Sequence, residues 1–408
     1  MEVVQSKKTV GSGWYEDPCE RTGCPERRIA LECQMGEGWE MLGRIVALMA
    51  SVFLGMVWVV GCGGFGAGSG STGVPLPGSG GRAVLLNGAG ATFPYPLYSR
   101  WIDEYGRLTP NVRINYQSIG SGGGIEQISK KVIDFGASDA PLTDDMLKKM
   151  PGEILHIPTV LGAVSITYNL PGIKGPVQFS PEVLADIFLG RITKWNDPRI
   201  AALNPGTKLP AQNIVVVHRS DGSGTTNMFT DYLSKISPTW SAQVGMGTSV
   251  NWPLGVGAKG SEGVSRQVQS TVGAIGYVEL SYALLNNLPY ALIQNRAGKF
   301  VAPSLETTTA AAAGAASSMP DDLRVSIVNA PGENAYPIAG FTYILVFKDQ
   351  ADPDKGRALA KFLWWAVHDG ERMAPPLAYG PLPPEVLTKV EQKLKSMTAQ
   401  GRPLLAGP

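Results

Sequence analysis

Hydrophobic positions along the chain follow two recurring patterns, short β-branched runs and longer stretches with helical spacing. The clearest example is the run 214–217 (IVVV), typical of a buried strand, followed by 228–233 (MFTDYL), where apolar residues have helical spacing. Between them lies the polar, glycine-rich segment 218–227 (HRSDGSGTTN). A strand that breaks at glycines and turns into a helix directs backbone N–H groups and the positive end of the helix dipole at one point. This pattern predicts an anion site, although an ordinary strand-to-helix turn capped by a serine would also produce it.

Three more strand-like runs end in polar or glycine-rich segments. Strands that alternate with helices form parallel sheets, and the ligands of such sheets bind at the carboxyl ends of the strands. The alternation therefore predicts an α/β fold in which these ends meet. We also expect Ser121 to cap the helix that follows the second run. The runs are 83–87, 112–116 and 132–138, and the polar residues at their ends include Thr92, Ser121 and Asp139.

Length and composition describe a folded protein with more than one lobe. A chain of 408 residues with 44% hydrophobic and 17% charged residues is longer than one hydrophobic core usually holds, so we expect two lobes. The net charge of +1, without a basic stripe, argues against nucleic acid as a partner. The four cysteines all lie at or before Cys62, and their spacing does not predict a metal site. We expect neither a metal nor a cofactor.

The amino-terminal segment predicts export. Residues 45–60 form an apolar run that is short for a membrane span, which needs about 20 residues, and suited to a signal-peptide core. The run ends just before Cys62, as in bacterial lipoprotein signals, where the cysteine is lipid-modified and becomes the new amino terminus. We therefore predict a lipoprotein signal peptide at 41–61 and a Gly/Ser-rich tether at 62–82, with a retained membrane helix or a simple cleaved signal as alternatives. Residues 1–40 are interpreted as a non-native extension from an upstream start codon.

The sequence lacks the motifs of common nucleotide-binding proteins and hydrolases. The segment 120–125 has no glycine at the sixth place of the dinucleotide fingerprint, and no glycine-rich loop ends as a P-loop does. No nucleophile elbow is present, and the imidazoles are those of His156, His218 and His368. His218 neighbours Arg219 but would alternate to the opposite face of the strand, so we interpret it as structural. An enzyme is therefore poorly supported.

Six motifs resemble, in order and spacing, those of the periplasmic phosphate-binding proteins of the bacterial high-affinity phosphate ABC transporter. The resemblance begins near residue 84 and extends almost to the carboxyl terminus. It implies a type II periplasmic binding protein, with two lobes that are each a mostly parallel sheet flanked by helices and are joined by two crossover hinge strands. The motifs are NGAGATFP (87–94), IGSGGG (119–124), DFGASDAP (134–141), IFLGRITKWND (187–197), RSDGSGT (219–225) and GAIGYVE (273–279).

The resemblance also implies where the chain crosses between the lobes. The crossings fall near 158–162 and 336–340, each beside a β-branched, strand-like run. Lobe I then comprises 83–158 together with 337–408, and lobe II comprises 159–336.

By the same resemblance, eight residues contact the anion through side chains or backbone N–H groups. Asp221 pairs with Arg219 and orients it. Asp139 accepts the proton that hydrogen phosphate carries, and sulfate, which has no such proton, is rejected because an unmade buried hydrogen bond costs about 1–3 kcal/mol. The eight contact residues are Thr92, Phe93, Ser121, Asp139, Arg219, Ser223, Gly224 and Thr225.

The resemblance implies a binding protein, not an enzyme, that delivers inorganic phosphate to the permease and ATPase subunits of an ABC transporter. We expect a monomer that is exported to the cell envelope, periplasmic or at the cell surface, and is held at the membrane surface by lipidated Cys62. One alternative is a binding protein for another tetrahedral oxyanion, and a second is a secreted phosphatase-like protein. A third is a phosphate-sensing or adhesive surface protein that serves no transporter.

Overall fold

The computed structural model describes residues 83–314 and 319–405. The predictions for 1–40, 41–61 and 62–82, including the lipidation of Cys62, lie outside these residues. The strands are β1 (Val84–Gly90), β2 (Val112–Ser118), β3 (Phe135–Ser138), β4 (Ile154–Tyr168), β5 (Gln178–Phe179), β6 (Val215–Arg219), β7 (Val256–Ala258), β8 (Ala274–Glu279), β9 (Leu292–Gln294), β10 (Phe300–Val301), β11 (Ala339–Phe347), β12 (Thr398–Ala399) and β13 (Arg402–Pro403). The α-helices are α1 (Tyr95–Leu108), α2 (Ser121–Ser129), α3 (Asp144–Lys148), α4 (Pro181–Phe188), α5 (Pro198–Leu203), α6 (Gly224–Ile236), α7 (Pro238–Gln243), α8 (Gly260–Ser270), α9 (Leu280–Leu285), α10 (Leu305–Ala313), α11 (Pro353–Ala366) and α12 (Pro384–Lys395).

An eight-stranded sheet in the order β2-β1-β3-β11-β4-β8-β6-β7 forms the centre of the protein. At one end β1 pairs in parallel with β2 and β3, and at the other β6 pairs in parallel with β7 and β8. Between these parallel ends lie β11 and β4, which are antiparallel to their neighbours. The first part of β4, up to Ala163, pairs with β11, and the rest, from Val164, pairs with β8. The predicted crossing 158–162 therefore lies within the strand that the two ends share, while the lobe boundaries themselves stay a prediction.

The two central strands are buried along almost their whole length because both are apolar runs. All fifteen residues of β4 and eight of the nine in β11 are buried. The register shifts within this pair, since Tyr343 lies opposite Pro158 but Thr342 lies opposite Val160. Proline has no N–H to donate to a central ladder, and a bulge is one of the few places where a sheet accommodates it.

Helices cover the sheet through apolar stripes. In α1 the buried residues include Tyr98, Trp101 and Tyr105, at the spacing of one helix face. The indole N–H of Trp101 donates to the carbonyl oxygen of Gly370 at 2.7 Å. This bond attaches the carboxyl-terminal part of the chain to the first helix.

The predicted strands at 83–87 and 112–116 are confirmed as β1 and β2, and the run 214–217 is confirmed as β6. The run 132–138 is extended only from Phe135 onward, since the chain turns at Lys131, with a φ of +55°, and bends again at 133–134. Among the residues that the structure describes, none of the helices has the length and apolarity to cross a bilayer.

Candidate anion-binding site

Polar residues from four separate strand ends meet at one buried place, as the alternation of strands and helices predicts. Thr92 follows β1, Ser121 begins the helix after β2, Asp139 follows β3, and Arg219 ends β6. Each of the four exposes no more than 4% of its surface. A hydrogen bond between distant motifs closes the group, since the N–H of Gly224 donates to the Ser121 hydroxyl oxygen at 3.0 Å.

Ser121 does not cap its own helix. The cap position is Gly120, whose φ of +89° lies in the left-handed region that favours glycine, and Ser121 is the first residue of α2. The Ser121 hydroxyl oxygen instead accepts the N–H groups of Gly224 at 3.0 Å and Asp139 at 3.3 Å. The predicted cap is therefore wrong, because this hydroxyl joins three loops and leaves its own helix end to Gly120.

Arg219 forms a bidentate ion pair with Asp221, as predicted. Its Nε lies 2.8 Å from Oδ1 and its Nη2 lies 2.5 Å from Oδ2. Burial acts to raise the pKa of Asp221, but hydrogen bonds from Arg219 outweigh it and lower the pKa, so the carboxylate stays ionised. Its Oδ1 also accepts the N–H of Gly260 at 3.0 Å. The pair holds one edge of the guanidinium and leaves Nη1, which lies 3.5 Å from the Ser261 hydroxyl, on the other side.

The first turn of α6 offers hydroxyl donors beside backbone N–H groups. The Ser223 hydroxyl oxygen accepts the N–H of Thr226 at 3.1 Å and so caps the helix, while its own hydrogen remains available to donate. The Thr225 hydroxyl is fully buried and has no hydrogen-bond partner within 83–314 and 319–405. A buried hydroxyl without a partner is costly, so this atom fits a site for a polar ligand.

Close approach, not an unusual backbone angle, requires glycine at position 224. A Cβ on Gly224 would lie 2.5 Å from the Cβ of Asp139 and 2.6 Å from the hydroxyl oxygen of Ser121. The start of α6 therefore meets the loops after β2 and β3 with its bare backbone.

The peptide group between Thr92 and Phe93 is held firmly in place. Its carbonyl oxygen, that of Thr92, accepts the hydroxyl of Tyr282 at 2.7 Å and the N–H of Tyr95 at 3.1 Å. Since the C=O and N–H of a trans peptide point in opposite directions, these bonds also fix the direction of the Phe93 N–H.

Asp139 is a buried carboxyl group whose partners are mainly hydroxyls. The Thr342 hydroxyl donates to Oδ1 at 2.8 Å, and the Ser121 hydroxyl lies 3.5 Å from Oδ2. Burial raises the pKa of Asp139 to about 7, although these hydrogen bonds and the charge of Arg219 oppose the rise. Asp139 therefore changes its charge near neutral pH.

Two residues of this cluster are absent from the predicted set. The Ser261 hydroxyl, at the start of α8, lies 2.9 Å from the Thr92 hydroxyl, and Thr342 on β11 donates to Asp139. Ser261 follows a strand and a glycine like the predicted residues, but β7 is only three residues long and gives a weak sequence signal. Thr342 lies inside an apolar strand, 203 residues from Asp139 along the chain, and has no local signal at all.

The histidines have structural partners. The Nε2 of His156 accepts the N–H of Leu142 at 3.0 Å. The ring of His218 stacks on Trp252 with centroids 4.9 Å apart, which confirms its structural interpretation. In the part of the chain that the structure describes, no group of three or more His, Cys, Asp or Glu side chains could hold a metal ion.

Known proteins are similar to this chain in sequence and in fold. A family model described as a PBP superfamily domain matches residues 77–369. The phosphate-binding protein PstS of Pasteurella multocida (strain Pm70) is 47% identical over 316 residues, which are 77% of this chain and 91% of that protein. Among solved structures, PfluDING, a high-affinity periplasmic phosphate-binding protein with phosphate bound, superimposes with a TM-score of 0.60 at 23% identity and covers 78% of this chain and 100% of that one. The phosphate-binding protein of Stenotrophomonas maltophilia gives a TM-score of 0.59 at 21% identity and covers 76% of this chain and 94% of that one.

These similarities extend over most of the described residues and over most of each related protein. They confirm the predicted two-lobed periplasmic-binding-protein fold. The chain therefore belongs to the PstS family of phosphate-binding proteins within the PBP superfamily.

Proposed function

We propose that this protein binds inorganic phosphate between its two lobes and delivers it to an ABC transporter. The observation that carries the proposal is the convergence of Thr92, Ser121, Asp139 and Arg219 from four separate strand ends on one buried place. Membership of a family whose members are named phosphate-binding proteins supports phosphate as the ligand. The other proposed contacts are Phe93, Ser223, Gly224 and Thr225.

The proposed contacts spread the neutralisation of the anion over many donors. Arg219 supplies one full positive charge, which Asp221 largely balances. Hydroxyl groups and the amino terminus of α6 supply the remainder as dipoles, which suits a small oxyanion with many lone pairs. Thr225 contributes a buried hydroxyl that has no partner in the described part of the protein.

Asp139 favours phosphate over sulfate in this proposal. An ionised Asp139 accepts the proton of hydrogen phosphate, whereas a sulfate oxygen in the same position opposes lone pair to lone pair. The mismatch costs about 1–3 kcal/mol, which is roughly 5- to 150-fold in affinity, and charge repulsion adds to it. Arsenate shares the shape and protonation of phosphate, so it is expected to bind.

Closure of the lobes accompanies binding in this proposal. Contacts already join residues of the predicted lobes, for example the N–H of Gly122, which donates to the carbonyl oxygen of Gly222 at 2.9 Å. A ligand that contacts both lobes stabilises the closed form over the open one. The permease subunits would recognise that closed form.

Titration calorimetry of the purified protein with phosphate, arsenate and sulfate tests the ligand. We expect binding of phosphate and arsenate and much weaker binding of sulfate. A preference for sulfate or molybdate would favour another oxyanion-binding protein. Turnover of a chromogenic phosphate ester would favour the phosphatase-like alternative, and the prediction that the protein is not an enzyme would then be wrong.

Lipid anchoring at Cys62 remains part of the proposal. The apolar run 45–60 ends one residue before the cysteine, and the tether 62–82 is long enough to let a folded body move above a membrane. In cells that process bacterial lipoproteins, Cys62→Ser should release the protein from the membrane fraction. Retention of this variant would contradict the anchor.

A further inference from the structure

A second buried carboxyl group lies close to the anion site. Glu279 ends β8 and is completely buried. Its Oε1 has no hydrogen-bond partner in the described part of the chain. Burial raises the pKa of Glu279 to about 8, and the charge of Asp139 adds to the rise. An ionised carboxylate is therefore poorly accommodated here.

The other oxygen of Glu279 belongs to a compact group of three oxygen atoms. Its Oε2 lies 2.9 Å from the hydroxyl oxygen of Tyr379, accepts the N–H of Ser281 at 2.8 Å, and contacts the Ser281 hydroxyl. The hydroxyl oxygens of Ser281 and Tyr379 are 3.0 Å apart. Tyr379 also lies 2.6 Å from the carbonyl oxygen of Phe93.

Counting hydrogens favours a protonated Glu279, because its proton gives a second of the three contacts a hydrogen. The carbonyl of Phe93 only accepts, so the single hydroxyl hydrogen of Tyr379 must be donated to it. Tyr379 then has to receive a hydrogen in its other contacts. If Glu279 is ionised, the one hydroxyl hydrogen of Ser281 has to serve all the contacts among the three oxygens. If Glu279 is protonated, it donates to Ser281, Ser281 donates to Tyr379, and Tyr379 donates to Phe93, so that each hydroxyl donates once.

We propose that Glu279 is a neutral carboxylic acid in the closed protein and a positioning residue for the anion site. Its proton begins a hydrogen-bond chain through Ser281 and Tyr379 that ends on the carbonyl oxygen of Phe93. Closure around the anion takes up one proton from solvent at Glu279. The inference rests on the proposed function.

The hydrogen-bond chain from Glu279 to Phe93 crosses the predicted boundary between the lobes. Glu279 and Ser281 belong to predicted lobe II, whereas Phe93 and Tyr379 belong to predicted lobe I. Opening of the lobes would separate Glu279 and Ser281 from Tyr379 and Phe93 and admit water to Glu279. Its carboxyl group would then ionise at its ordinary pKa. The groups that face this carboxyl are Asp139, whose charge favours its neutral form, and the hydroxyl groups of Tyr282 and Tyr379.

The sign of the linkage follows from these two states. Because the pKa is higher in the closed form, closure takes up a proton at any pH between the ordinary value of 4.5 and about 8. In this window the wild-type affinity should fall with rising pH relative to a variant that does not titrate at this position. The loss of wild-type affinity relative to that variant is complete above about pH 8, where Glu279 carries no proton in either the open or the closed form.

The test is the number of protons taken up per phosphate bound. We would titrate the full protein with phosphate at neutral pH in buffers of different ionisation enthalpy, which separates proton uptake from binding heat. The wild type should take up about one proton more than Glu279→Gln, since the amide still donates to Ser281 but carries no titratable proton. Titration of phosphate and of Asp139 cancels in this difference. Glu371→Gln is the control, because Glu371 is a partly buried carboxyl group whose pKa is also raised but which takes no part in this hydrogen-bond chain, and it should match the wild type.

A second variant tests whether the hydrogen-bond chain positions Phe93 for anion binding. Tyr379→Phe removes the hydroxyl that reaches Phe93 and should weaken phosphate binding by about two- to tenfold. Tyr232→Phe is its control, because the buried hydroxyl of Tyr232 has no partner in the described residues, and it should bind normally.

Equal proton uptake by the wild type and Glu279→Gln, with phosphate binding intact in both, would overturn this inference and leave the proposed function standing. Absence of phosphate binding by the wild type would instead contradict the proposed function, and this inference with it. If Glu279→Gln does not fold, infrared spectra of Asp139→Asn with and without phosphate provide the decision, since that variant lacks the buried carboxyl of Asp139, whose pKa is also raised. A protonated-carboxyl band that appears with phosphate supports the inference, and its absence refutes it.

Discussion

The proposed anion site has two sides, and a carboxylate serves a different purpose on each. On the side built by β6 and α6, Asp221 binds the guanidinium of Arg219 through contacts of 2.8 and 2.5 Å, and its pKa is lowered. On the side built by β3 and β11, Asp139 accepts the hydroxyl of Thr342 at 2.8 Å, and burial raises its pKa to about 7. The first carboxylate is a permanent counter-charge, and the second changes charge near neutral pH. We therefore expect affinity to depend mainly on the first side and selectivity mainly on the second.

Removing the cation of the first side should have the largest effect. Arg219→Ala deletes the full positive charge and leaves Asp221 unpaired beside the anion, so phosphate affinity should fall by about 2 kcal/mol or more, which is roughly 30-fold. Calorimetry measures the change. Arg199→Ala is the matched control, because Arg199 pairs with Asp197 two residues away in the same bidentate manner but on the surface. Near-native affinity of Arg219→Ala would show that this residue does not contact the ligand.

Removing the charge of Asp139, on the second side, should change the selectivity for phosphate over sulfate more than the affinity for phosphate. Asp139→Asn removes the charge that repels sulfate and adds a donor, so the preference for phosphate over sulfate should fall by about tenfold or more. Phosphate affinity should change much less. Competition calorimetry with both anions measures the ratio, and unchanged rejection of sulfate would refute the role of Asp139.

The same argument gives a pH dependence to the wild-type protein. As pH falls through about 7, Asp139 takes up a proton and becomes a donor, so rejection of sulfate should weaken at acidic pH. In Asp139→Asn the ratio of the two affinities should lack this contribution. A wild-type ratio of phosphate affinity to sulfate affinity that does not depend on pH would contradict the titration of Asp139 in the site.

The contact between the two sides should tolerate little extra volume. Gly224→Ala places a methyl group 2.5 Å from the Cβ of Asp139, so phosphate affinity should fall by about 1 kcal/mol or more, roughly fivefold or more, as closure is hindered. Gly106→Ala is the control, because nothing lies within 4 Å of a Cβ at that position in α1. It should stabilise the protein slightly and leave binding unchanged. Equal binding by both variants would mean that the two sides do not need this close approach.

The smallest effect is expected from the hydroxyl that supports Asp139. Thr342→Val keeps the shape of the side chain and removes the donor to Oδ1, so the pKa of Asp139 should rise further. The pH at which sulfate rejection weakens should shift upward, and phosphate affinity should change by only about twofold, the lower end of what one hydrogen bond contributes. An unshifted pH profile would show that this hydrogen bond does not tune the carboxyl group.

The sequence predicts those parts of the site that repeat a local pattern. Thr92 and Asp139 follow apolar, strand-like runs that become the parallel strands β1 and β3, and carboxyl ends of parallel strands share an edge, so their meeting is predictable. Arg219 ends β6, which runs antiparallel to β1 and β3 across β11 and β4, so its approach to them follows only from the folded sheet. The pairing of Arg219 with Asp221 is equally local, because only one residue separates them.

The parts that sequence reasoning missed depend on contacts between distant segments. Thr342 lies inside an apolar strand, and only the folded sheet places its hydroxyl beside Asp139. The role of Ser121 was mispredicted for a related reason. A serine before a helix usually caps it, but here the left-handed Gly120 ends the turn and frees the hydroxyl to accept the N–H of Gly224 across the site. The continuous sheet through β4 likewise follows from strand pairing over long separations in sequence.

A crystal structure of the protein with phosphate tests the central claim most directly. The account predicts one phosphate in the site, with Arg219, Ser121 and the first turn of α6 donating to it and with an oxygen of Asp139 within hydrogen-bond distance of the protonated phosphate oxygen. Phosphate bound elsewhere, or bound without contact to Asp139 and Arg219, would contradict the account.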